Sequence, residues 1–188
     1  MTTPDQPSIR HEYEQHGVAG YYQQFGAAYR NPHELAVRQA LHAAVAAWAP
    51  DLTSVLDLAC GSGEATLALR EVGAAQVTGL DPYTAAAYAE RTGQPAETFT
   101  FEAIAAGALD GRAYSLIVCS YALHLLEPSR LPQLAYQLSR LAPTLWVLTP
   151  HKRPDLRPAW GWALAAELRE ARVRVRRYAS AAVPPVEK

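Results

Sequence analysis

The sequence predicts a doubly wound α/β domain built on a mostly parallel sheet. Its apolar runs are short and continuous, stretches with helical spacing separate them, and the first run ends in glycines that open a helix. Continuous apolarity means burial on both faces, which a parallel sheet covered by helices on each side provides. At 188 residues the chain has room for one core but is cramped for two.

Taken in order, residues 1–10 combine Thr, Pro, Asp, Gln and Ser with little to bury, so a disordered tail is expected there. Residues 11–180 are read as one domain whose first part, 11–50, is a helical lid, and 181–188 as a second tail. Leu35, Val37, Leu41, Val45 and Trp48 predict a helix over 34–48, with Asn31 as its cap, Pro32 at its first position and Pro50 beyond its end. Strands are expected at 55–59, 77–81, 98–102, 116–119, 145–148 and 173–178, and helices at 65–72, 131–141 and 159–170. Only one clear strand follows the last helix. A six-stranded sheet with an open edge is then expected, and a homodimer through that edge stays open.

Lys and Arg number 17 against 18 Asp and Glu, which removes any bulk electrostatic reason for nucleic-acid or membrane binding. No run reaches the roughly 20 apolar residues that cross a bilayer, and the polar N-terminus does not resemble a signal peptide, so a cytoplasmic protein is expected. The 2 cysteines, Cys60 and Cys119, are too few for a disulfide framework. Each ends an expected strand, and two reduced buried thiols are anticipated.

In Val55 to Leu69, VLDLACGSGEATLAL, a buried strand runs into Gly61-Ser62-Gly63 and then a helix, so backbone amides can approach a ligand unobstructed. Asp81 ends the next strand twenty positions beyond Gly61, where a carboxylate accepts hydrogen bonds from ribose hydroxyls. Together they indicate a nucleoside. Thr66 stands where the dinucleotide fingerprint has its third glycine, which disfavours NAD and favours a ligand without phosphates, such as S-adenosylmethionine.

Val55 to Gly63, Val77 to Pro82 (VTGLDP) and Tyr114 to Leu125 (YSLIVCSYALHL) resemble successive motifs of the class I S-adenosylmethionine-dependent methyltransferases, with the resemblance covering about residues 20–150. It implies a Rossmann-like fold, S-adenosylhomocysteine as product, and an acceptor of small or medium size. By position, Asp57, Ala59, Gly61 and Gly63 would line the methionine part, Asp81 would bind the ribose, and Pro82 with Tyr83 would flank the adenine. Glu102 and Ala103 would contact the adenine as well, although the family's usual Gly-Asp-Ala is absent there. Ser115 replaces an aspartate common before the fourth strand. An N-terminal segment like this one folds over the cofactor in related enzymes, which would bring Arg30 to the methionine carboxylate and Tyr29 to the acceptor; a solvated Arg30 is the alternative.

His124 and His151 follow strands at the edge where α/β sheets bind ligands, and either could take a proton from an acceptor hydroxyl or amine. A packing role for His124 competes equally. Lys152 and Arg153 are candidates for holding an acidic acceptor, against a solvated loop. No histidine, cysteine or carboxylate has metal-ligand spacing, so no metal is expected. Arg172 to Arg177 alternates charge and apolar side chains, which suits a protected edge strand and leaves RNA as an alternative acceptor. Two other readings stay open: a catalytically silent S-adenosylmethionine-binding partner or sensor, and an NAD-dependent oxidoreductase.

Overall fold

The structure, a computed structural model, describes residues 30–183 together with Gly20 and Gly26; the expected tail at 1–10, the end of the second tail and most of the lid, Tyr29 included, lie outside the described residues. Helix α1 (Glu34–Trp48) buries Val37, Ala40, Leu41 and Ala44, one stripe at helical spacing. Asn31 is not its cap. The helix starts behind His33, and Asn31 makes a turn in which its Oδ1 accepts from the His33 N–H at 2.9 Å. Pro32 lies inside that turn, two residues before the first helical position. At the other end Ala49 adopts φ 40° and donates its N–H to the Val45 carbonyl, after which Pro50 stops propagation.

Strands β1 (Val55–Leu58), β2 (Val77–Leu80), β3 (Leu116–Ser120) and β4 (Thr144–Thr149) are parallel. Strands β5 (Trp162–Glu170) and β6 (Val173–Ser180) form an antiparallel hairpin, and β6 pairs antiparallel with β4. The order across the sheet is β2-β1-β3-β4-β6-β5. The other α-helices among the described residues are α2 (Glu64–Glu71), α3 (Ala85–Thr92), α4 (Phe101–Ala105) and α5 (Leu131–Ser139). Leu56, Leu58, Ile117 and Leu145 pack towards α4 and α5, while Val55, Val118, Trp146 and Val175 pack towards α1 and α2. Two cores on opposite faces explain the continuous apolar runs.

Two expected elements differ. Residues 98–102 make no strand: a single bridge joins Glu97 to Leu80, and Thr100 then caps α4 by accepting the Ala103 N–H at 3.2 Å. Local capping by threonine outweighs its β-branched preference here. Residues 159–170 do not form an α-helix: a 3-10 turn (Pro158–Trp160) leads into β5, because β6 supplies a ladder along Trp162–Glu170. The hairpin covers the outer side of β4, and β5 becomes the edge, interrupted by a bulge between Leu164 and Ala166. Leu58 lies opposite Cys119, so Cys60, two residues on, sits diagonally from it; both thiols are free and buried. No helix among the described residues is long and apolar enough to cross a membrane.

Candidate functional site

The carboxyl ends of the parallel strands open onto a cavity of about 220 Å³. Its floor is the turn after β1, where Ala59 and Gly61 both hold φ 56° and Gly63 holds φ 91° before α2 begins. These left-handed steps swing the chain away from the strand end and leave space above it. Leu80, Pro82, Tyr83, Phe99 and Phe101 line the cavity together with Asn31, Glu64, Ser120, Tyr121 and Leu126.

Asp81, only 8% exposed, joins the first two strand ends. Its Oδ1 accepts the Tyr83 N–H at 2.9 Å and the Thr84 N–H at 3.1 Å, and its Oδ2 accepts the Gly61 N–H at 3.3 Å. The Thr84 hydroxyl donates to the Gly61 carbonyl at 2.7 Å, a second tie between the two turns. Burial pushes the Asp81 pKa up, while the backbone N–H donors at Tyr83 and Thr84 pull it back.

Glu64 stands where the glycine turn becomes α2 and is 4% exposed. Its Oε1 accepts from the Asn31 N–H and from Arg91 Nη1, each at 3.1 Å, and from the Ser62 hydroxyl. The other arm of Arg91 donates to Glu34 at 2.5 Å. Glu64, Asp81 and Glu102 border the cavity, and no lysine or arginine does so among the described residues. A pyrophosphate would meet three carboxylates and no cation, whereas a ligand of net positive charge suits the lining.

Of the residues the sequence singled out, Ala59, Gly61, Asp81, Pro82, Tyr83 and Glu102 come together on the cavity. Asp57 lies behind it, fully buried, with Oδ2 accepting from the Thr66 hydroxyl at 2.7 Å. Gly63 serves as the left-handed residue preceding α2, and Ala103 sits within α4 with its N–H on Thr100. Arg30 reaches Glu90 at 3.3 Å on the surface. Glu102, at the rim, is held by Arg130 at 2.6 Å.

His124, in a short turn of helix (Leu123–Leu125), and His151, two residues after β4, approach to 4.7 Å between ring centroids. Burial and the nearby His151 push the His124 pKa down to about 4, so its ring is neutral at physiological pH. Its Nδ1 is buried without a hydrogen-bond partner among the described residues. The flanking Tyr121, Ala122, Leu125 and Leu126 line the cavity. Tyr121 holds φ 56°, and its ring stacks on His33 at 5.0 Å. Lys152 and Arg153 are exposed, and the Lys152 carbonyl accepts from Arg176.

Sequence reasoning missed Glu64, Arg91, the site role of Asn31, and Phe99 and Phe101 in the lining. A charged residue directly after a glycine turn was the available signal for Glu64; nothing local marks Arg91 as its partner 27 positions away.

A family model described as a methyltransferase domain matches residues 55–143, from β1 to the residue before β4. This chain belongs to the class I S-adenosylmethionine-dependent methyltransferases. An uncharacterized protein of Schizosaccharomyces pombe is 36% identical over 198 residues, spanning 82% of this chain and 79% of that protein. The magnesium protoporphyrin IX methyltransferase of Synechocystis PCC 6803, crystallised with S-adenosylmethionine, superposes with a TM-score of 0.59 at 17% identity over 96% of this chain and 100% of its own. A protein from a study of disulfide-to-thioacetal conversion in echinomycin biosynthesis gives 0.59 at 20% identity, over 87% and 91% of the two chains. At these identities the structural likeness is one of fold. The methyltransferase's turn after β1 departs from a full glycine motif at Ala59.

Proposed function

We propose that this methyltransferase holds S-adenosylmethionine in the cavity above β1 and β2 and methylates a small acceptor entering beside Tyr121 and His124. The observation that carries the reading is Asp81: a nearly buried carboxylate that borders the cavity and faces no cationic side chain there. Its Oδ2 accepts only the Gly61 N–H among the described residues, which leaves room for a ribose hydroxyl to donate as well. Tyr83 and Phe101 offer aromatic surface for the adenine, and Ala59 and Gly61 offer bare backbone to the methionine part. The bound sulfonium supplies an electrophilic methyl group. The chain contributes alignment and water exclusion, and His124, next to the cavity-lining Ala122 and Leu125, is the base assigned to a hydroxyl or amine acceptor: burial keeps its ring unprotonated but also makes it a weak base. His151, packed against it, restricts its ring.

Two observations favour a small acceptor over RNA. Gly26 packs on the backbone of Tyr83, a residue of the cavity lining, so closely that an added Cβ would lie 2.4 Å from the Tyr83 carbonyl oxygen, which narrows the space for a bulky acceptor at that side. The arginines of β6 are engaged internally: Arg174 and Arg176 pair with Glu167, Arg176 also with Asp155 at 2.8 Å, and Arg177 lies over Trp48. They do not form a phosphate-binding stripe.

Calorimetric titration with S-adenosylhomocysteine, S-adenosylmethionine and NADH tests the cofactor site. The adenosyl sulfur ligands are expected to bind and NADH is not, and Asp81→Ala should weaken binding by about 1.5 to 3 kcal/mol, the size of charged hydrogen bonds. Equal binding by Asp81→Ala would remove the reading. Release of S-adenosylhomocysteine with a panel of small hydroxyl and amine acceptors then tests turnover; tight binding with no turnover on any acceptor would favour a silent binding subunit.

A further inference from the structure

We infer that Glu64 receives the ammonium group of the cofactor's methionine part and couples that contact to the chain entering α1; the inference rests on the cavity being the S-adenosylmethionine site. All three donors that reach Glu64 converge on Oε1, namely the Asn31 N–H, Arg91 Nη1 and the Ser62 hydroxyl. No hydrogen bond reaches Oε2 among the described residues, although the side chain is 3% exposed and borders the cavity. Arg91 is shared between Glu64 and Glu34, so one guanidinium faces two carboxylates and the cluster keeps one negative charge. Oε2 is not sealed off from the cavity, and an ammonium group arriving there offers it three N–H donors and the missing charge.

The other carboxylates on the cavity are engaged differently. Asp81 already takes three backbone donors at the adenosine end, and Glu102 is half-exposed and paired with Arg130. Glu64 stands beside Ala59 and Gly61, where the methionine part lies in the proposed orientation. Because Asn31 binds the same carboxylate and Glu34 the same arginine, a cation on Oε2 fixes both the glycine turn and the start of α1. Loading the cofactor and fixing the turn at Asn31 that leads into α1 are then one event.

The test compares three ligands by calorimetry on the full chain: S-adenosylhomocysteine, its analogue lacking the amino group, and 5′-methylthioadenosine, which lacks the whole amino-acid part. The wild type should prefer S-adenosylhomocysteine to the deaminated analogue by at least about tenfold, as expected of a charge-assisted hydrogen bond. Glu64→Gln should abolish that preference and leave 5′-methylthioadenosine affinity within about twofold, which also shows that the variant folds. Asp81→Ala should weaken all three ligands. Unchanged discrimination in Glu64→Gln would overturn the inference, and so would equal loss of all three, which would make Glu64 a prop of the turn. Failure of Asp81→Ala to weaken any of them would instead strike the cavity assignment itself.

Discussion

Ala59 holds φ 56° where β1 turns away from the sheet, a conformation in which a Cβ crowds the backbone. A left-handed residue with a side chain costs about 1 to 2 kcal/mol, and glycine gives back part of that as unfolded-chain entropy. Ala59→Gly is therefore expected to raise unfolding stability by about 0.5 to 1 kcal/mol, read from the urea midpoint at constant slope. A lower midpoint would mean that the Ala59 methyl packs favourably enough to outweigh the strain. Gly79 poses the opposite case. A Cβ there would lie 2.3 Å from Tyr88 Cζ, because the ring of Tyr88 on α3 lies against the backbone of β2. That ring closes a buried chain in which the Tyr88 hydroxyl meets Thr66 at 3.1 Å and accepts from Gln94 at 2.8 Å. Gly79→Ala should cost about 1 to 3 kcal/mol by displacing the ring, measurable in the same unfolding experiment. Neither requirement is marked in the sequence as a turn or a contact. Asp81 was legible because strand, glycine turn and carboxylate follow at a fixed spacing, whereas Glu64 takes its meaning from Asn31 and Arg91, which only the fold brings to it.

At the scale of elements, β1 to β4 and three of the helices could be read because their burial is written into the apolar pattern. The β5–β6 hairpin could not, and the reason lies in two places. Residues Ala163 to Glu170 are mostly Ala, Leu, Glu and Arg, all good helix formers, and they become a strand only because Val173–Ser180 pairs with them. The turn between them also lacks the residues that announce it. Ala171 and Arg172 both hold positive φ, 48° and 65°, in a two-residue connection, as a type I′ turn demands, yet neither is Gly, Asn or Asp. Ala171→Asn with Arg172→Gly supplies that chemistry and should stabilise the hairpin by about 1 kcal/mol, visible as a higher melting temperature. A drop would show that the Arg172 side chain contributes more than its backbone strain removes.

Across the whole molecule, one fully buried and one half-buried titratable group shift in opposite directions and partly cancel. Burial raises the Asp57 pKa from 3.8 to about 7, with the Glu64 and Asp81 carboxylates adding to the rise and the Thr66 hydroxyl opposing it. Between those values the folded state binds more protons than the unfolded one, so this group lowers stability as pH rises from about 4 to about 7. His124 works the other way. Its pKa falls from 6.5 to about 4, the unfolded state binds the extra proton over that window, and stability rises with pH until about 6.5. The wild type should therefore be nearly flat from pH 4 to 6.5 as far as these two groups decide it. Asp57→Asn leaves the histidine unopposed, so its stability should climb across that range relative to wild type. His124→Gln leaves the aspartate unopposed and should make stability fall towards pH 7. The relative changes are expected at about 1 to 2 kcal/mol, with the smaller value for the half-buried His124, where solvent screens the effect. Urea unfolding at half-unit steps of pH reads both curves. If Asp57→Asn runs parallel to the wild type, then Asp57 is ionised in the folded state, and its Oδ1, without a partner among the described residues, must find a donor such as a buried water.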